Sequence, residues 1–198
     1  MTKIGVIGGG SWGTALVSLL TNNKSNIYWW IRGEQHLINI TEEKRNKKYL
    51  PNCNLQLSKI NLTNSLSDLI KYCDVLIIAT PAEYILKTFE NISKKEILNK
   101  SIISATKGVI PQKNLTPYKF FKQLDNELDY SVISGPCHAE EIAMSRRSYL
   151  TFSSSNPEII KNIIPLISNS FVSVKQSQDV IGTELSAILK NIYALLVG

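Results

Sequence analysis

Apolar residues fall along the chain in short unbroken runs: KIGVI at 3–7, NIYWWI at 26–31, DVLIIAT at 74–80, SIISAT at 101–106 and YSVIS at 130–134. A strand with one face in water alternates apolar and polar residues, so continuous runs predict strands covered on both faces. Segments of helical period lie between them, TALVSLLTNN at 14–23 and the stretch from Tyr84 to Phe89. Strands alternating with helices imply parallel crossover units and a doubly wound α/β sheet. Further on, SYLTFSSS at 148–155 and FVSVKQ at 171–176 predict strands that extend the same sheet. A helix opens between them near Asn156, with Pro157 just inside its start, where a missing N–H costs nothing. The last stretch, ELSAILKNIYALLVG at 184–198, reads as a nearly apolar helix interrupted by Lys190. Thr183, Ala187, Lys190 and Ala194 share one face of it, and small residues there leave room for a ligand beside the ammonium.

Composition narrows the class. With 43% hydrophobic and 19% charged residues the chain is an ordinary globular one. The net charge of +6 is spread among loops and helices, which speaks against a nucleic-acid surface. The basic run KRNKK at 44–48 reads as a solvated loop. Cys53, Cys73 and Cys137 have no paired spacing for a disulfide framework or a metal site, which points to a reducing, cytoplasmic setting. The start of the chain lacks the features of a secretory signal, and no apolar run is long enough to span a bilayer.

The chemistry begins at Gly8-Gly9-Gly10-Ser11-Trp12-Gly13, a G-x-G-x-x-G turn between the first predicted strand and the first predicted helix. Gly8 permits the tight turn, Gly10 lets backbone approach a pyrophosphate, and Gly13 lets the helix pack close to the strand. The free N–H groups and positive end of that helix face the phosphates. The expected fold is therefore a doubly wound, mostly parallel Rossmann-type sheet. After the second strand comes Arg32, with no acid before Glu34, a pattern that leans towards NADP or towards tolerance of both NADP and NAD.

Ligands in such sheets lie beyond the carboxyl ends of the strands. The loops there are Thr80-Pro81-Ala82, Thr106-Lys107-Gly108 and the segment from Gly135 to Glu141. A compact ammonium at Lys107 suits a phosphate or a developing oxyanion. Glu140 and Glu141 read as first-turn carboxylates that favour a helix dipole, and His138 as a hydrogen-bonding residue rather than a base.

In order along the chain, GGGSWGTA, RNKKYLP, ATP, SATKGV, SGPCHAEEIA and ELSAILKNIYAL together resemble the NAD(P)-dependent glycerol-3-phosphate dehydrogenases. The resemblance implies interconversion of dihydroxyacetone phosphate and sn-glycerol 3-phosphate, which supplies glycerol phosphate for phospholipid synthesis. It implies that Gly8, Gly10, Ser11, Trp12, Gly13 and Arg32 bind NADP or NAD, with Ala139 at the nicotinamide end. Lys107 would touch both cofactor and substrate, Gly135 and Cys137 would hold the substrate, and Lys190 with Asn191 would sit at the reacting oxygen, Lys190 as the catalytic group. The partner is then a small phosphorylated triose, with no nucleic acid and no membrane span, and the full-length enzyme is compatible with a homodimer.

Two departures from the family stand out. Cys137 replaces the family's usual Ser or Thr, so a hydroxyl donor becomes a weak S–H. The family also continues into a helical domain that supplies an acid and an Arg-Asn pair. The expectation is a dinucleotide-binding domain over 1–180 and a truncated start of the helical substrate domain over 181–198. Such a chain would bind cofactor with little turnover; the alternative is a non-catalytic dinucleotide-binding module.

Overall fold

The computed structural model describes residues 2–23 and 26–197, with side chains along the last helix placed as far as Lys190 and at Tyr193 and Leu196. The chain alternates strand and helix through its first two thirds. β1 (Ile4–Ile7), α1 (Ser11–Asn23), β2 (Ile27–Trp30) and α2 (Glu34–Glu43) are followed by β3 (Ile60–Thr63), α3 (Leu66–Tyr72) and β4 (Val75–Ile78). Then come α4 (Ile85–Phe89), α5 (Lys94–Ile97), β5 (Ser101–Ser104), α6 (Pro117–Leu124), β6 (Tyr130–Ser134) and α7 (Ala139–Ala143). β7 (Ser148–Ser153), α8 (Pro157–Ile167), β8 (Val172–Ser177) and α9 (Val180–Val197) complete it.

Among the described residues the strands form one sheet in the order β3-β2-β1-β4-β5-β6-β7-β8. β1 to β6 are parallel; β7 runs against β6, and β8 runs parallel to β7. The sheet is thus mostly parallel, with a two-strand edge of opposite direction. The chain winds outward from β1 to β3, then crosses back to β4 on the other side of β1. That reversal leaves a crevice beyond the carboxyl ends of β1 and β4, where doubly wound sheets collect ligands.

The unbroken apolar runs follow from burial on both faces. Ile4, Val6, Val75, Ile77 and Ile103 point into one core with Leu16, Leu20 and Phe152; Ile7, Leu76, Ile78 and Ile102 point into the other with Leu69, Ile85 and Phe121. At about 25 cal/mol per Å² of apolar surface removed from water, these two layers are the main source of stability. β3 and α2 were not foreseen. β3 is an edge strand with no buried residue, and α2 buries only Ile40, so neither carries the apolar signal that revealed the others.

α9 packs its opening turns on β6 and β7. Its carboxylate Glu184, only 2% exposed, accepts from the Tyr130 hydroxyl at 2.5 Å and from the Tyr118 amide at 3.0 and 3.2 Å. Pro117 occupies the first position of α6, so the Tyr118 N–H is the free donor that a first turn leaves over. Glu184 caps that turn from another element. On the other side of α9, the Thr183 and Ser153 hydroxyls share a hydrogen bond at 2.6 Å. α9 is thereby fixed at the end remote from Lys190. No helix among the described residues is long and apolar enough to cross a membrane.

Candidate functional site

The glycine-rich turn joins β1 to α1 at the switch point. Gly8 has a φ of +129°, and a Cβ there would lie 2.8 Å from the Ala79 carbonyl oxygen; one on Gly13 would collide with the carbonyl oxygen of Gly8. Only glycine fits either place. Gly10 differs, since a Cβ on it would meet nothing within 4 Å. Its backbone borders open space.

A groove continues from this turn in two directions. One wall set, about 400 Å³ in volume, brings together Gly10, Ser11, Trp12, Lys107, Cys137 and Ala139. The other is lined by Gly8 to Gly10 with Arg32, His36, Lys48, Tyr49 and Tyr84, two fixed cations and no carboxylate. Arg32 lies 5.0 Å above the Tyr84 ring, so an exposed guanidinium is held against an aromatic face. Thr80, 7% exposed, lines both parts, and its buried hydroxyl has no hydrogen-bond partner among the described residues; the same holds for the buried Nε1 of Trp12, whose side chain lines the first part. Unpaired buried donors cost free energy unless a ligand uses them. An open glycine backbone, orphaned donors and flanking cations fit a dinucleotide.

Gly135 and Lys190 line a third cavity, between the small-residue face of α9 and the sheet, with Thr183 and Ala187 as foreseen and with Ser134, Thr151 and Ser186 in addition. Gly135 allows close packing, because a Cβ there would overlap the backbone of Tyr149. Lys107 lies in the first of these cavities, with Cys137. Its Nζ sits 5.4 Å from the centre of the Trp12 ring. Burial, with the nearby charge of Lys190, holds the Lys107 pKa below the usual lysine value. Burial pushes the Cys137 thiol up, against the pull of both lysines. Cys137 is therefore a neutral S–H at pH 7, with Lys107 in the same cavity and the charge of Lys190 near enough to bear on both. The side chain of Asn191 lies outside the described residues.

The neighbouring loop corrects one expectation. Lys44, Arg45, Lys47 and Lys48 are exposed as the basic run suggested, but Asn46 within it is only 1% exposed. It donates to the Gly9 carbonyl and to the Thr14 hydroxyl, both at 2.8 Å, and lies 3.0 Å from His36 Nε2. With both Asn46 N–H groups spent, its oxygen accepts from His36. Helix-start readings at α7 hold: Glu141 accepts from the His138 amide at 2.8 Å. Among the described residues no group of three or more His, Cys, Asp or Glu side chains could hold a metal ion.

A Rossmann-type sheet with a glycine turn at its switch point, and with Lys107 and Cys137 in the groove beyond it, defines the class to which this structure belongs. The comparisons then narrow it. Residues 3–160 match the sequence model described as NAD-dependent glycerol-3-phosphate dehydrogenase N-terminus, and the chain belongs to that family. It is 31% identical to glycerol-3-phosphate dehydrogenase [NAD(P)+] of Staphylococcus carnosus, an alignment covering 100% of this chain and 60% of the relative. It is 32% identical to the Bacillus subtilis enzyme of the same name, covering 100% of this chain and 58% of that one. The crystal structure of glycerol-3-phosphate dehydrogenase from Coxiella burnetii superposes with a TM-score of 0.89 at 25% identity, covering 98% of this chain and 59% of that one. The Plasmodium falciparum enzyme gives 0.88, also at 25% identity, over 98% and 57% of the two chains. The chain thus spans about 60% of the length of the curated relatives it matches.

Proposed function

We propose that residues 1–180 form the dinucleotide-binding domain of a cytoplasmic NAD(P)-dependent glycerol-3-phosphate dehydrogenase, and that 181–198 begin its helical substrate domain. The reaction is the interconversion of dihydroxyacetone phosphate and sn-glycerol 3-phosphate, supplying glycerol phosphate for phospholipid synthesis. The observation that carries this reading is the groove that runs from the glycine turn to Lys107 and Cys137, with the charge of Lys190 near enough to bear on both groups, in a chain of this family.

Gly8, Gly10, Ser11 and Trp12 hold the dinucleotide, with Gly13 packed behind them, Arg32 at the adenosine end and Ala139 at the other. When bound, the reduced nicotinamide supplies the hydride. The chain's own residues do the rest. Lys190 stabilises the negative charge that grows on the substrate's central oxygen and delivers a proton there. Lys107 offers a second ammonium to the phosphorylated triose, and Gly135 and Cys137 bound its site, with Asn191 beside the reacting oxygen. That this part of the groove is lined by Arg32 and Lys48 and by no acid favours NADPH over NADH. The part of the family's length beyond this chain completes the substrate site, so residues 1–198 alone bind cofactor and turn over little.

The test is steady-state oxidation of NADPH and NADH driven by dihydroxyacetone phosphate, in the 198-residue chain and in a full-length enzyme carrying it. Turnover confined to the full-length form supports the reading. A full-length enzyme inert towards this substrate overturns it, and turnover by the short chain overturns the division of labour.

A further inference from the structure

The glycine turn exposes an unusual amount of its wiring. Each of its three carbonyls is tied to the protein by a different side chain. The Gly8 oxygen accepts from Trp29 Nε1 at 2.9 Å, the Gly9 oxygen from Asn46 Nδ2 at 2.8 Å, and the Gly10 oxygen from the Thr14 hydroxyl at 2.8 Å. A trans peptide unit is planar and sets its C=O and the following N–H in opposite directions. Fixing the oxygens of Gly8, Gly9 and Gly10 therefore aims the N–H groups of Gly9, Gly10 and Ser11 the other way, and successive N–H groups held like this form a concavity for an anion.

We propose that Asn46 is a positioning residue for dinucleotide binding, holding the middle peptide of this turn so that its N–H donors meet the pyrophosphate without prior reordering. The inference rests on the proposed dinucleotide site. Trp29 belongs to β2, paired beside β1 in the sheet, and Thr14 to α1, so they are set by the fold. Asn46 comes from a loop 37 residues away in sequence and closes the set. The loop has anchors of its own besides the Asn46 side chain. It is pinned by buried Leu50 and Cys53 and by the Asn46 backbone oxygen, which accepts from the Leu50 amide at 2.8 Å. The side chain is spent instead on Gly9, Thr14 and His36. A turn already held in its bound shape loses less freedom on binding, and the gain appears as affinity for phosphate-bearing ligands.

The experiment compares the 198-residue chain with Asn46→Ala and Asn46→Asp, measuring calorimetric affinity for NADPH and, by NMR titration, for adenosine, which carries base and ribose without phosphate. Asn46→Asp keeps the size and the acceptor for His36 but removes the donors, and it serves if the alanine variant does not fold. The expected result is a loss of about tenfold or more in NADPH affinity, the size of one forfeited buried hydrogen bond, with adenosine affinity changed less than twofold. NADPH affinity within twofold of the parent in a folded variant overturns the role of Asn46. Equal losses for both ligands also overturn it, because they mean a general disturbance of the site. Failure of the parent chain itself to bind NADPH is a separate result, which removes the dinucleotide reading and this inference with it.

Discussion

Burial disfavours the charged form of Lys107, and the like charge of Lys190 nearby adds to it. A group whose pKa is held down in the folded state is one whose charged form the fold disfavours. Lys107→Met should therefore raise the thermal midpoint of the free chain by a few degrees while weakening dinucleotide binding, a trade typical of functional sites; differential scanning calorimetry with and without NADPH checks both halves. Lys190 behaves differently. Lys190→Ala in the full-length enzyme should lower kcat by two or more orders of magnitude with cofactor affinity little changed, the pattern of a contact made in the transition state. Stopped-flow and steady-state rates measure it, and a near-normal kcat removes Lys190 from the chemistry. Both lysines could be singled out from their places after a strand and within an apolar helix. Asn46 could not, since its partners Gly9 and Thr14 lie 37 and 32 residues away and nothing local marks it among KRNKK.

At the level of elements, α9 carries Lys190 but is held in place nearly two turns earlier, by Glu184 on β6 and α6 and by Thr183 on β7. Glu184 is a buried carboxylate satisfied by donors, and the Tyr130 hydroxyl keeps its proton because burial and the Glu184 charge push its pKa well above the usual value. Tyr130→Phe removes one of those donors and should cost about 1–3 kcal/mol in denaturant unfolding; an unchanged midpoint means that the bond contributes nothing. β1, β2, β4, β5 and β6 were legible from their apolar runs because both faces of each are covered. β3, with sequence INLT, and α2, with EQHLINITEE, were not: each packs one side or an edge, and polar residues dominate. The reversal of direction at β7 was equally hidden, because a strand's sequence does not say which way it runs.

The whole molecule places the glycine turn at the reversal of a doubly wound sheet and its three thiols inside the fold. Cys73, fully buried, has its pKa pushed up to about 12 by burial. A group raised in the folded state contributes stability that is fully present below its unfolded value near 9 and is lost as pH rises towards about 12. Urea unfolding at stepped pH should show the parent losing stability across that window, and Cys73→Ala, less stable at neutral pH through its cavity, should lose less. The central claim is that this chain, about 60% of the length of its relatives, is a self-sufficient dinucleotide-binding unit. Calorimetric titration of the 198-residue protein with NADPH tests it most directly. The account predicts saturable one-to-one binding in the micromolar range, tighter than for NADH and abolished by Gly8→Ala. The absence of any saturable heat with either dinucleotide would contradict it.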